Sequence, residues 1–228
     1  ERFEYWQNLQ EYGKRTHYGA IGEQTLGAFQ GADWTDNNFN PLYYKISPVS
    51  CYNMFRGSAI TSIVDKIKLD TSKSITLNAM FYDSKIQEVG DIDCTGVASN
   101  AQKLHCTFAF CKDLKTIGTI KMFQNITFTN TFMEARSLEN IKFAECDDSN
   151  NIGIGQNGLD LQWSTKLSKD SIKSIANAIS SEKADLHITL SAKAVNTAFE
   201  TSEGLADGTT SEEWMELIQN KPGFIWLA

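Results

Sequence analysis

Apolar residues return along the middle of the chain with a long, regular period. Phe55, Phe81, Phe108 and Phe132 are separated by 26, 27 and 24 residues. Four positions before each stands another apolar residue: Cys51, Leu77, Leu104 and Phe128. Five or six positions after each comes an aliphatic (Ile60, Ile86, Leu114, Leu138), and three further on a second one (Ile63, Val89, Ile117, Ile141). Polar residues such as Asp83, Ser84, Lys85, Lys112, Asp113 and Arg136 fall between them, where the chain has to bend. Each unit is thus one coil with a single apolar edge that it cannot cover alone. Stacking the units buries those edges in one continuous core, and a period of 20–29 residues is the mark of leucine-rich-repeat-like solenoids. The pattern predicts an α/β chain containing about four irregular coils of 24–27 residues. The alternating stretches "SITLNAMF" (74–81) and "NITFTNTF" (125–132) predict short strands leading into each Phe.

A stack of coils needs covered ends. Residues 1–50 are read as a helical N-terminal cap, with Phe3, Trp6 and Leu9 near one face of "ERFEYWQNLQEY". Residues 51–158 are the repeats, and 159–228 an α/β C-terminal cap, all within one continuous structural domain. In that cap "LSKDSIKSIANAIS" predicts a helix with Ser168 as N-cap and Ile172, Ile175, Ala176 and Ile179 as its apolar stripe. "DLHITLS" reads as a strand. "TSEEWMELIQNK" reads as a helix, with Thr210 and Glu213 spaced as a capping box, and "FIWLA" after Pro222 and Gly223 as a last strand.

The 228 residues carry a net charge of −7, and the 21 Lys and Arg are scattered. Phosphate backbones select a basic stripe, so nucleic acid is not an expected partner. No apolar run approaches the roughly 20 residues of a membrane span, so no membrane insertion is expected. Five cysteines, at 51, 94, 106, 111 and 146, are an odd and sparse set. They are read as mostly free thiols of a chain folded in a reducing compartment. Cys94 and Cys146 follow their Phe by 13 and 14 positions, which predicts stacked core positions.

Four stretches could carry chemistry. "GIGQNG" (153–158) has dinucleotide-loop spacing, but the following "LDLQW" alternates like a strand where a helix is required. "DDSNN" from Asp147 offers calcium-type oxygens, yet its glycine falls one residue late and the twelfth position is Gly158 instead of Glu. Cys106 and Cys111, near His105 and Cys94, fall short of a converging zinc set, because neighbours in a strand point to opposite faces. Asp91 and Asp93 beside Gly90 read as a solvated turn rather than a glycosidase pair. The expectation is therefore no catalytic, cofactor-binding or metal residues. Tyr43, Tyr44 and Tyr82 lie outside the ladder positions and are the candidate anchors for a sugar or protein partner.

The phrase "MF-x-x-S-x-I-x-x-I" at Met54–Ile63, with its three degenerate echoes, resembles BspA-type leucine-rich repeats. The opening segment, with Trp6, Gln10, Gly13, Arg15, Thr16, Tyr18, Phe29, Trp34, Thr35, Phe39, Pro41 and Tyr43, looks like the C-terminal module of tail or baseplate-associated proteins of gut-bacterial phages and prophages. The resemblance spans essentially the whole chain and brings no catalytic residues with it. It implies a non-enzymatic recognition or scaffold module of a virion tail. Its partners would be a host cell-surface glycan or protein, or another tail subunit. Free thiols fit a tail protein folded in the bacterial cytosol. A bacterial cell-surface adhesin of the same repeat class is the alternative, and a glycan-cleaving enzyme a third.

Overall fold

The structure is a computed structural model, and it describes residues 45–46, 50–63, 68–96, 102–183, 186–200, 211–219 and 224–228. The expected N-terminal helical cap and the Pro222–Gly223 turn lie outside these residues.

Backbone hydrogen bonds tie each phenylalanine segment to the next. In the first layer the N–H groups of Asn53, Phe55 and Gly57 donate to the carbonyls of Asn78, Met80 and Tyr82. The Ala79, Phe81 and Asp83 N–H groups donate to His105, Thr107 and Ala109, and those of Cys106, Phe108 and Phe110 to Thr129, Thr131 and Met133. The residues between them bond within their own layer: Met54 to Cys51, Arg56 to Asn53 and Ser58 to Phe55, with the same three bonds in the following layers. Alternate amides thus serve the layer and its neighbour in turn, which satisfies a buried backbone that is neither helix nor sheet.

This alternation needs left-handed backbone twice per layer. Asn53, Ala79, Cys106 and Asn130 have φ of 52–54°, two residues before each Phe. Gly57, Asp83, Phe110 and Glu134 have φ of 53–62°, two residues after. Ala79, Cys106 and Phe110 hold a conformation that costs such residues roughly 1–2 kcal/mol, offset by the bonds between layers.

The regular strands follow each Phe. Here β1 is Lys45–Ile46, β2 Lys68–Leu69, β3 Glu88–Val89, β4 Ile92–Asp93, β5 Thr116–Lys121 and β6 Asn140–Phe143. All their pairings are parallel: β1 with β2, and β3, β4 and β6 with β5. The strands expected over 74–81 and 125–132 are instead irregular chain running into turns, in which the Met80 and Thr131 amides bond back to Leu77 and Phe128 of their own layer. Ser62 bridges Glu88, Glu88 pairs with Thr116, and Thr116 with Asn140. One residue later, Ile63, Val89, Ile117 and Ile141 are all buried.

Phe55, Phe81, Phe108 and Phe132 form one row of stacked rings. Their centroids are 5.3, 5.5 and 5.6 Å apart, with interplanar angles of 7°, 7° and 9°. All four are at most 1% exposed. The row belongs to one apolar cluster that runs from Cys51 to Trp214.

Beyond β6 come β7 (Asp160–Leu161), α1 (Lys169–Ala178), β8 (His187–Leu190), α2 (Ala192–Phe199), α3 (Glu212–Gln219) and β9 (Phe224–Leu227). Strands β7, β8 and β9 form a parallel sheet. Ser168 caps α1 by accepting from the Ser171 N–H, and Ile172, Ile175, Ala176 and Ile179 are buried. The same helix seals the edge of β6. Ser171 and Ser174 hydroxyls accept from the Ile141 and Phe143 N–H groups and donate to the Glu139 and Phe143 carbonyls. Helix α2 has no counterpart among the elements expected from the sequence. Its first residues, Ala192 to Val195, show too short an apolar period to declare it. The cap of α3 is Ser211, whose hydroxyl accepts from the Trp214 N–H. The expected partner Thr210 lies outside the described residues, and Glu213 instead pairs with Lys169 at 2.8 Å and with Lys173.

None of the five cysteines forms a disulfide. Cys51, Cys94 and Cys111 are buried, and burial pushes each thiol up to about 12. Cys146, expected in the core beside Cys94, is half-buried and donates to Asp148 at 3.4 Å. The chain here turns toward α1, with the Cys146 N–H on the Asn177 carbonyl, whereas the Cys94 N–H meets Lys121. Because the thiolate is the reactive form, Cys51, Cys94 and Cys111 should resist a disulfide reagent at pH 8 in the native protein. Denaturation should release all five thiols, a result read directly by thiol titration.

Candidate functional site

The row of inter-layer bonds stops at the fourth layer. Among the described residues, the N–H groups of Asn130, Phe132 and Glu134 meet no acceptor. The chain after β6 is drawn aside by α1, and beside the last layer a cleft of about 560 Å³ opens. The fourth layer contributes Thr129, Asn130 and Met133 to its wall. The loop around β7 contributes Asn157 to Asp160, Gln162 and Trp163, and β8 contributes His187 and Thr189.

Local bonds hold these side chains in place. Asn157 Oδ1 accepts from the His187 N–H at 2.7 Å, and the Gly158 N–H donates to the His187 carbonyl. The same pair occurs earlier in the stack: Asn78 Oδ1 accepts from the His105 N–H, and the Ala79 N–H donates to the His105 carbonyl. The β7 loop therefore repeats the register of a layer, and it is joined to the fourth one at its far end, where the Ser164 hydroxyl donates to the Ala135 carbonyl at 3.0 Å. The Asp160 carboxylate is clamped on both oxygens by Gln162, from its N–H at 3.0 Å and its side-chain amide at 2.7 Å. Trp163 is half-buried, with the Arg136 guanidinium 5.1 Å from its ring centroid. Arg136 is itself neutralised by a two-pronged pair with Glu134, at 2.6 and 3.0 Å, which lowers the Glu134 carboxyl below its ordinary range. Met133 remains 38% exposed at the rim.

Of the candidate anchors, Tyr82 is half-buried, edge-on to Phe110 at 5.4 Å and covered by Arg56 at 4.5 Å. It holds the same offset in its layer as Met133 does in the fourth, one residue after the Phe. Tyr43 and Tyr44 lie outside the described residues. Tyr82 does not line the cleft. Trp163, Asp160, Gln162 and His187 are not singled out by the sequence pattern. The one signal that could have found them is the second Asn-to-His pair, 157 and 187, echoing 78 and 105.

The four chemical stretches are engaged in structure. Gly153 takes φ +125°, and a Cβ on Gly155 would meet Gln124 at 2.6 Å. The segment after them continues into β7, not a helix. Asp147 caps the short 3-10 turn Asp148–Asn150. Asp148 accepts from Gln124, Cys146, Ser180 and Ser181. Asp91 accepts from the Thr119 N–H, and Asp93 from the Thr95 N–H and hydroxyl. The buried Cys111 thiol donates to the Phe81 carbonyl, while His105 is exposed. Among the described residues no three His, Cys, Asp or Glu side chains converge as a metal site would need. Nor is any described helix long and apolar enough to cross a membrane.

No protein-family model, curated protein or solved structure matches this chain.

Proposed function

We propose that this chain is a non-enzymatic recognition module, built as a leucine-rich-repeat-like solenoid with capped ends. In this reading it is the distal part of a phage or prophage tail or baseplate protein and contacts a receptor on the surface of gut bacteria. The observation that carries the recognition role is the cleft at the end of the stacked layers. Its volume falls in the roughly 300–1,000 Å³ range of ligand sites. It sets an aromatic ring and a thioether among clamped hydrogen-bonding groups, an arrangement suited to binding. Asp91, Asp93 and the Cys111 thiol each hold a backbone partner, and none of the three lines the cleft. The tail context comes from the resemblance of the opening segment and the repeats.

The test is binding of purified protein to intact gut-bacterial cells, alongside turnover assays on cell-wall glycans and peptides. Met133→Lys places a charge at the exposed rim, and Trp163→Ala removes the ring. Each should weaken cell binding about tenfold or more, as the loss of a central anchor does. Met133→Lys should leave thermal stability unchanged. Turnover that disappears in an Asp91→Asn, Asp93→Asn double variant would overturn the reading.

A further inference from the structure

We infer that the ligand of this cleft is a neutral glycan with a pair of adjacent free hydroxyls, an assignment that rests on the recognition reading. The wall is rich in groups that both donate and accept: the hydroxyls of Thr129 and Thr189 and the amides of Asn130, Asn157 and Gln162. Sugar hydroxyls also donate and accept, so each can be matched without leaving a polar group stranded. Trp163 supplies an apolar plane with a polar edge, the complement of a sugar ring's C–H face.

Charge decides against acidic ligands. The lining contains no Lys or Arg, and its one carboxylate is Asp160. Arg136, the cation against Trp163, is already paired with Glu134. A uronate, sialate or phosphate would therefore meet Asp160 with no Lys or Arg in the lining to offset it, on a chain of net charge −7. A peptide is disfavoured for another reason. Met133, Leu159 and Trp163 are the large apolar groups of the wall, too few to seat successive side-chain anchors.

Asp160 is placed to read the hydroxyl pair. Gln162 occupies one acceptor position on each of its oxygens. A carboxylate has about four such positions, so one remains on each oxygen, and adjacent hydroxyls can donate to both at once. These charge-assisted bonds are short and directional, and they are lost when the ligand lacks either hydroxyl.

The experiment uses the whole chain and defined probes: soluble mannan and 1,4-linked glucose oligomers, whose residues carry adjacent hydroxyls, against polygalacturonate and a glycerol-phosphate polymer, each at 50 and 500 mM NaCl. A neutral probe should bind with less than about a twofold change across that salt range, since screening acts on charge pairs. Asp160→Asn should weaken it about tenfold at unchanged thermal stability, and periodate cleavage of the probe's adjacent hydroxyls should abolish binding. Binding confined to the acidic polymers, or an Asp160→Asn variant of unchanged affinity, would overturn the assignment. So would cell binding that is sensitive to Met133→Lys and is destroyed by protease treatment of the cells. That last outcome would leave the recognition reading standing, whereas failure to bind cells at all would sink both.

Discussion

Phe108→Ala is expected to lower the unfolding free energy by about 3–5 kcal/mol. Phe108 is fully buried and is the third ring of the row, stacked on Phe81 at 5.5 Å and on Phe132 at 5.6 Å. Removing it deletes a large apolar surface and leaves a cavity between two rings held by rigid backbone. The Phe108 N–H is bonded to Thr131 of the next layer, so the walls have little freedom to collapse into the gap. Urea denaturation of the variant and parent measures the change. Phe81→Ala should interact with it: the double variant should lose less than the sum of the two, because both truncations remove the same ring contact. A loss below about 1 kcal/mol would show that the row contributes little to stability.

Asp148→Ala should cost about 2–4 kcal/mol, a large effect for a residue that is only partly buried. The carboxylate joins the end of the layered region to the end of α1. It accepts from Ser180 at 2.6 Å, Ser181 at 2.6 Å and Gln124 at 2.7 Å. Ser180 and Gln124 are buried, so deletion strands donors that water reaches poorly, at roughly 1–3 kcal/mol each. The Ser180 hydroxyl, followed by Ser181, Gln124 and the Cys146 thiol, holds the Asp148 carboxyl well below the ordinary carboxylate range. Because the folded value lies below the unfolded one of about 3.9, this stabilisation is complete above that value. It is lost as the pH falls below about 4. Denaturation at pH 7 and pH 3 should therefore show Asp148→Asn to be less acid-sensitive than the parent.

What can be read from the sequence depends on how local its cause is. Phe55, Phe81, Phe108 and Phe132 can be picked out by spacing because each occupies the same place in its unit. The position of the strands cannot be read the same way. "NITFTNTF" alternates like a strand, yet its peptide groups alternate between two kinds of partner, one inside the layer and one in the preceding layer. The left-handed residues that enforce this include Ala79, Cys106 and Phe110, types that give no warning of positive φ. Ser211 displaces Thr210 as the cap of α3 through a shift of one residue, finer than capping patterns resolve. The cleft was hidden for a broader reason. Met133, Trp163 and His187 are far apart in the chain and meet only because the bonding between layers stops after Phe132 and α1 diverts the chain beyond β6.

The bonds between layers also bear on mechanics. Around each Phe they run from the N–H of one layer to the carbonyl of the next, and after it from the next layer back, as Lys85 to Ser58, Lys115 to Gln87 and Glu139 to Lys115 do; both sets lie roughly along the stacking direction. A pull along that direction loads the interfaces in series rather than sharing the load among them. Each interface is held by its own set of backbone bonds, its stacked ring pair and the aliphatic contacts beside them. Such a structure yields one layer at a time and gives up its length in steps. A layer of 24–27 residues releases about 80–95 Å of extended chain. The stack is stiff sideways, where its core is continuous, and extensible lengthwise. A module attached at one end and gripping a surface at the other would absorb a sudden load by losing layers in succession.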